Sequence, residues 1–380
     1  MRNPIVSIIR CSSHGDEAVI RQAMVECMDL VDGLESIVCP GDTVLLKPNL
    51  ISEKSYETGV VTNPHVVKVV AELAKEAGAG KVLVADGAAV GHSATEALKA
   101  AGYHDVLGAA GVELIDLHKE EFVLVPISNG VVFRKLRIAK PVLDASVVIN
   151  LPVPKTHDVF PLTLGLKNMK GVIHPRDKRR FHKWGLAQGI VDLQKVVLPE
   201  LTIFDGTVGH EGTGPTRGTP VGLGLLVAST DTVAADVVMA HIAGVAPQEV
   251  PYIGLAAEQG LGCGDMSAIT VLGETIEDVR RPFQRIRLDE AALRRHDVAV
   301  VEAGACSGCR QVVTEWLIDL DEKGKLDHLR GRTIVYGQNV HAIPDDRGDL
   351  IVIGSCVKKF KDKGRYIPGC PPEREALNDI

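Results

Sequence analysis

Short apolar runs that end in a polar or glycine residue, each followed by a helical stretch, recur along most of this sequence. Thr43–Leu50 (TVLLKPNL) reads as a buried strand. Asn63-Pro64 then offers an N-cap with proline in the first helical turn. In Pro64–Ala77, Val66, Val67, Val70, Leu73 and Ala74 share one face, and Gly78 stops the helix. Lys81–Asp86 (KVLVAD) is the next strand, Ser93 caps a helix to about Ala101, and Val112–Leu117 is a strand again. This rhythm predicts an α/β fold with a mainly parallel sheet and helices on its faces.

The rhythm breaks twice. In Glu121–Ile138, Asn129-Gly130 sits between two β-rich runs, which is a hairpin signal. The alternation then resumes with a strand in Ala145–Val153, a helix in Leu186–Val197 and a strand in Leu201–Asp205. A glycine-rich loop, Gly206–Gly218, leads to a strand in Val221–Ala228 and a helix capped by Asp231 or Thr232 that reaches about Ala243. A short helix Tyr252–Gln259 and a strand near Ile269–Leu272 complete the block. Around Glu274–Leu293 the pattern loosens and becomes charged. Beyond it come a strand Asp297–Glu302, a helix Arg310–Asp321, and strands Thr333–Tyr336 and Leu350–Ile353. The expected organisation is a large α/β domain over 1–280, a linker over 281–295 and a small α/β domain over 296–380, which suits a chain of 380 residues.

Composition narrows the function classes. The net charge is −7 and aromatic residues are 4% of the chain, whereas a nucleic-acid groove wants basic residues and stacking rings. No run approaches the ~20 apolar residues of a membrane span, and Pro4–Ile9 is too short for a secretory core. A cytoplasmic protein is expected, and there cysteines stay reduced.

Four of the eight cysteines lie near the end of the sequence in distinctive settings. Cys306 and Cys309 form C-S-G-C after one strand and before a helix. Cys356 follows another strand in G-S-C, and Cys370 lies in P-G-C-P-P. Strand ends of a parallel sheet are where ligand sites form, so these thiols can converge from distant positions. Four thiolates suit a [4Fe-4S] cluster or a four-cysteine zinc site, and the single C-x-x-C with two lone cysteines favours the cluster. Cys11, Cys27, Cys39 and Cys263 lack ligand spacing; Cys27 reads as packing and Cys263 as structural.

The pattern E-A-G-x-C-S-G-C, then G-S-C, then I-P-G-C-P-P-E-x-E-A-L is similar to the cluster-bearing small subunit of nickel–iron hydrogenases. It also resembles the related subunit of NADH:quinone oxidoreductase. That resemblance, over about Ala299–Ile380, implies a flavodoxin-like domain holding a [4Fe-4S] cluster on Cys306, Cys309, Cys356 and Cys370.

The larger block sets polar groups where its strands end. These are Lys47 and Asn49 after TVLL, Asp86 after KVLVA, Asn150 with Lys155-Thr156-His157 after SVVI, and Asp205 before the glycine-rich loop. Lys167, Asn168, Lys170, His174, Arg176, Arg179, Arg180 and His182 follow one another closely. Lysines at strand ends, glycine turns and helix N-termini make an anion site, so a carboxylate or phosphate ligand is expected. The alternative reading of Arg176–Lys183, for Arg179 and Arg180 above all, is a solvated loop. The glycine-rich loop has no Walker lysine, and Asp231 and Asp236 read as a cap and a packing group.

The order of LKPNL, VINLPVPKTH, LGLKNMKG, FDGTVGHEGTGPTRG and ASTDTVAAD resembles the domain-of-unknown-function-362 family, over about Val44–Gly273. Many members of that family look like iron–sulfur proteins, though this chain lacks their tandem ferredoxin-type cysteine runs.

Together these readings lead to an iron–sulfur redox protein, an oxidoreductase or electron-transfer component, acting with a redox partner protein and an anionic small molecule. His157, His174 and Lys155 form the candidate catalytic set, with a histidine as proton donor. Lys47, Asn49, Asp86, Lys167, Asn168, Arg176 and Asp205 form the candidate binding set. The alternative is a non-redox enzyme or binding protein for a carboxylate or phosphate, with a structural zinc held by the four cysteines.

Overall fold

The computed structural model describes residues 3–157, 159–285, 289–343 and 348–380. The chain divides into two compact units, one of residues 1–181 with 187–285, the other of residues 182–186 with 286–380.

The larger unit is built on an eight-stranded sheet in the order Thr270–Gly273, Ile5–Arg10, Leu225–Ser229, Leu201–Gly206, Val147–Leu151, Thr43–Pro48, Lys81–Asp86, Glu113–Asp116. Leu225–Ser229 runs antiparallel to both neighbours, and every other pairing is parallel. The expected mainly parallel α/β architecture is thus present. Its central strands are buried along almost their whole length, as strands covered on both faces must be.

The helices cover the sheet for local reasons that can be named. Asn63 caps Pro64–Glu76 by accepting a hydrogen bond from the His65 N–H, and replacing such a cap with alanine costs about 1 kcal/mol. Val66, Val67, Val70 and Ala74 of that helix are buried in one apolar cluster with Val44, Leu46, Val82 and Val84 of the strands. Each buried valine contributes roughly 1.5–3 kcal/mol. Asp231 caps Thr232–Ile242 through the Ala234 N–H, while Asp236 of the same helix is buried.

The hairpin forms from Phe122–Pro126 and Lys135–Ala139. Its connection is longer than a two-residue turn, although Asn129 does take a positive φ of 56° within it. A small sheet in the order Thr219–Val221, Gly209–Glu211, Lys155–Thr156, Leu162–Thr163 carries Lys155.

The expected linker over 281–295 is ordered at both ends. The Arg281 N–H donates to Ile242 O at 2.8 Å, its guanidinium pairs with Glu211 at 2.9 Å, and Phe283 is buried. Residues 286–288 of the expected linker lie outside the described residues. Glu290–Arg295 is a helix capped by Asp289.

The smaller unit has four parallel strands in chain order, Ala299–Glu302, Arg332–Tyr336, Asp349–Ile353 and Gly364–Ile367. Helix Ser307–Glu322 follows the first strand, and its Val313, Trp316 and Leu317 pack in a cluster with Ile334, Ile351 and Ile353.

Candidate functional site

The parallel register of the large sheet puts Lys47 beside Asn150, and Asn150 beside Thr202, at one end of three adjacent strands. A polar network grows from that row. The Lys47 ammonium lies 2.7 Å from Asp86 Oδ1 and donates to Pro48 O at 2.7 Å. Asp86 also accepts the N–H groups of Leu50 and Gly87, at 2.7 and 2.8 Å. Asn168 links the strands: its Nδ2 donates to Asn150 Oδ1 at 2.8 Å, and its Oδ1 accepts from Asn49 Nδ2 at 2.8 Å. Lys155 completes the chain by donating to Asn49 Oδ1 and to Val60 O.

The backbone is shaped to admit this network. Gly171 passes so close over the ion pair that a Cβ there would fall 1.9 Å from Asp86 Oδ1 and 2.7 Å from Lys47 Nζ. Asp236 holds the approach to Asn168 by accepting the N–H groups of Gly165 and Leu166 at 2.7 and 3.1 Å.

Charge is unbalanced here. Lys47, Lys155 and Lys178 are buried, with Lys167 and Lys170 partly so. Burial holds Lys155 well below the ordinary lysine range, with Lys167 adding repulsion. Lys170 is lowered well too, by burial and then by Lys167 and Lys178. Burial also lowers Lys47, against the pull of Asp86. Lys178 is brought down to about 7, chiefly by burial. Its amine donates to Gly87 O at 2.8 Å and Ala88 O at 2.9 Å and lies 2.9 Å from His118 Nε2. Burial and then Lys178 keep the His118 imidazole neutral, down to about 4. An anion brought to this cluster would supply the negative charge that these amines lack, and so raise their basicity.

In the smaller unit the four cysteines lie beyond the carboxyl ends of three parallel strands. Cys306 caps the helix Ser307–Glu322 and Cys309 lies in its first turn. Cys356 follows Asp349–Ile353, and Cys370 follows Gly364–Ile367. The two later turns are tied together by Ser355 N–H donating to Gly369 O at 2.8 Å. Gly354, at φ 96°, passes where a Cβ would meet Cys309 Sγ at 3.3 Å. The Cys306 thiol is lowered to about 6, first by its hydrogen bond with Cys309 and then by N–H groups of the helix start. Cys309 is raised by the Cys306 hydrogen bond, by burial and by the charges of Cys306, Cys356 and Cys370. Cys309 thus feels the other three thiols, and Cys356 feels Cys370 and Cys306. Among the described residues, no three His, Cys, Asp or Glu side chains stand ready-set around a metal position.

The sequence profile of the family described as Domain of unknown function (DUF362) matches residues 44–241, just over half of the chain. The chain belongs to the DUF362 family. A thylakoid-associated protein of Synechocystis sp. is 33% identical over 269 residues, covering 69% of this chain and 81% of that one. Among solved structures, the lactate racemase apoprotein of Thermoanaerobacterium thermosaccharolyticum aligns at 10% identity and a TM-score of 0.44, over 97% of this chain and 87% of that one. A Thermotoga maritima protein aligns at 10% identity and 0.37, over 93% and 91%. Scores that low carry nothing about chemistry.

The DUF362 match contains the whole lysine network, whereas the four cysteines lie beyond it. Of the residues expected to bind, Lys47, Asn49, Asp86 and Asn168 form one hydrogen-bonded group, which Lys155 of the expected catalytic set joins through Asn49, and Lys167 acts on Lys155 by charge. Asp205 is engaged elsewhere, accepting from Asn63 N and from Thr207 N and Oγ1. His174 lies close enough for its charge to act on His118 and for Lys178 to act on it, and its ring packs edge-on against Phe122 at 4.8 Å. Arg176 is exposed next to it. His157 follows Lys155–Thr156 and accepts from Val159 N at 2.9 Å.

The stretch Arg176–Lys183, read alternatively as a loop, belongs to the helix Pro175–Trp184; Arg176 and Arg179 are exposed on it, while Asp177, Lys178 and Phe181 are buried. Lys178 and His118 were not among the expected site residues. The 178/181 spacing with an aromatic marks a buried helix face, and His118 comes two residues after the strand Glu113–Asp116, where a strand-end rule finds it.

No helix among the described residues is long and apolar enough to cross a membrane.

Proposed function

We propose that this chain is an iron–sulfur redox protein whose small unit holds one [4Fe-4S] cluster and whose large unit binds an anionic small molecule. The observation that carries the reading is the placement of the four cysteines beyond the carboxyl ends of one parallel sheet: Cys306 and Cys309 at the start of the helix Ser307–Glu322, Cys356 and Cys370 in two segments joined by the bond from Ser355 N–H to Gly369 O. Four thiolates are a donor set that fits such a cluster, and the resemblance of their spacing to hydrogenase small subunits supports the same group. Cys306, Cys309, Cys356 and Cys370 would hold it. When bound, the cluster supplies one-electron chemistry.

The large unit's own residues do the rest. Lys47, Lys155, Lys167 and Lys178 neutralise a carboxylate or phosphate, and Asn49 and Asn168 orient it through their amides. His174, beside Lys178, is the favoured proton donor, with His157 as the second candidate. Reduced thiols need a reducing compartment, so the reading puts the protein in the cytoplasm.

Metal analysis after purification without air tests the reading. The expected result is about four iron and four sulfide per chain, with absorbance around 400 nm that dithionite bleaches. Cys356→Ser and Cys370→Ser should lose it and Cys263→Ser should keep it. A colourless protein carrying about one zinc per chain would instead favour a structural four-thiolate site on a non-redox binding protein.

A further inference from the structure

The segment that carries Cys356 is basic within an acidic chain. Ser355–Lys363 (SCVKKFKDK) forms a 3-10 stretch that leads into the strand Gly364–Ile367. Val357 and Phe360 are buried in one apolar cluster with Val335, Val340 and Val352, which fixes the inward side of the stretch. Its outward side is cationic: Lys358, Lys359, Lys361, Lys363 and Arg365 are all exposed. Asp362 is the single acidic residue between Cys356 and Arg365, in a chain of net charge −7. Arg365 donates one N–H to Asp379 O at 2.6 Å, and no ion pair engages any of the five cations among the described residues. Cys356 and Cys370 are exposed at the same place, whereas Cys309 is buried.

We propose that this cationic face is the docking surface for an acidic one-electron carrier protein, of the ferredoxin class in charge and size, seated over Cys356 and Cys370. The proposal rests on the reading of the four cysteines as cluster ligands. With a cluster held by Cys306, Cys309, Cys356 and Cys370, one electron would pass between it and the carrier, the giver being oxidised and the taker reduced, and no atom would move. Encounters of this kind use small interfaces, so opposed charge rather than apolar burial guides them. A membrane surface fits less well. An interfacial segment needs an apolar face to insert, and here Val357 and Phe360 are already spent inside the unit.

The test uses the full chain and an acidic plant-type ferredoxin, with binding measured by calorimetry at about 20 mM and about 500 mM salt, where screening differs strongly. Lys358→Glu/Lys359→Glu/Lys361→Glu should weaken binding by about tenfold or more at low salt, and Arg294→Glu, an exposed cation elsewhere in the same unit, by less than about twofold. Salt should weaken the wild-type complex and have little left to act on in the triple variant. Iron, sulfide and bleaching by dithionite should match wild type in the triple variant, which shows that it is folded and loaded. Equal binding by wild type and variant would overturn the proposal. So would absence of ferredoxin binding together with co-sedimentation on phosphatidylcholine vesicles containing phosphatidylglycerol. Metal analysis judges the cluster, and the charge dependence of ferredoxin binding judges the surface, so the two can fail separately.

Discussion

Lys47 and Asp86 form an ion pair of 2.7 Å whose side chains are 0% and 2% exposed. Removing one partner strands a charge away from water. Asp86→Asn should therefore cost about 3–5 kcal/mol in urea unfolding. Lys47→Met combined with Asp86→Asn should cost clearly less than the sum of the two single changes. Additive losses would mean that the pair is not coupled as the geometry requires.

Gly171 is the residue that lets the chain pass over that pair. Gly171→Ala places its methyl within 1.9 Å of Asp86 Oδ1, and either the pair or the turn has to move. A loss of about 1–3 kcal/mol is expected, as for other overpacked positions. Gly254→Ala, where a Cβ meets nothing within 4 Å, serves as the comparison in the same denaturation series.

Lys155 has neutral partners for its ammonium, Asn49 Oδ1 and Val60 O, and burial holds its basicity well down. Such a group costs stability and is kept for another reason. Lys155→Met should leave the melting temperature unchanged or higher. Millimolar phosphate or citrate should raise the melting temperature of the wild type by mass action and do so much less in the variant. A variant that loses stability while keeping the full anion response would remove Lys155 from the site.

The buried amines also set a pH dependence. Burial brings Lys178 from 10.5 to about 7, so across that interval the unfolded chain holds a proton that the folded chain has released. Stability then rises with pH from about 7 towards 10.5, and is lost as pH falls back through the folded value. His118, brought from 6.5 to about 4, acts with the same sign on the acid side. Urea midpoints should climb between pH 7 and 9 in the wild type and climb less in Lys178→Met, with Lys47, Lys155 and Lys170 supplying the remainder. A wild-type profile that is flat over that interval would count against the account.

Anion binding should take up protons for the same reason. A bound carboxylate or phosphate raises the basicity of Lys155 and Lys170, so the affinity should be higher at pH 6.5 than at pH 9. Calorimetry in two buffers of different ionisation enthalpy reads the proton uptake directly.

Much of this arrangement was legible in the sequence because local chemistry fixes it. Asn63-Pro64, Ser93 and Asp231 each accept a backbone N–H at the start of the helix they were expected to cap. Lys81–Asp86 has the boundaries its pattern gave, and Lys47 and Lys155, next to apolar runs, are buried as that adjacency implies. Other parts depend on partners far away in the chain. Ile5–Arg10 is a strand because residues 225–228 and 270–273 lie beside it. Lys178 sits among charged neighbours that suggest a solvated loop, and only the helix turns it inward with Phe181. The short strand Gly364–Ile367 is mostly exposed, so no apolar run announces it.

The position of Ile5–Arg10 bears on how the chain acquires its shape during synthesis. Its neighbours, Leu225–Ser229 and Thr270–Gly273, are made more than two hundred residues after it. Until then it has no edge to join. A chain cut to the DUF362 segment, 44–241, would retain Leu225–Ser229 with one side bare. That row of unpaired N–H and C=O groups would be open to another molecule's strand, so the trimmed protein should aggregate where the full chain does not.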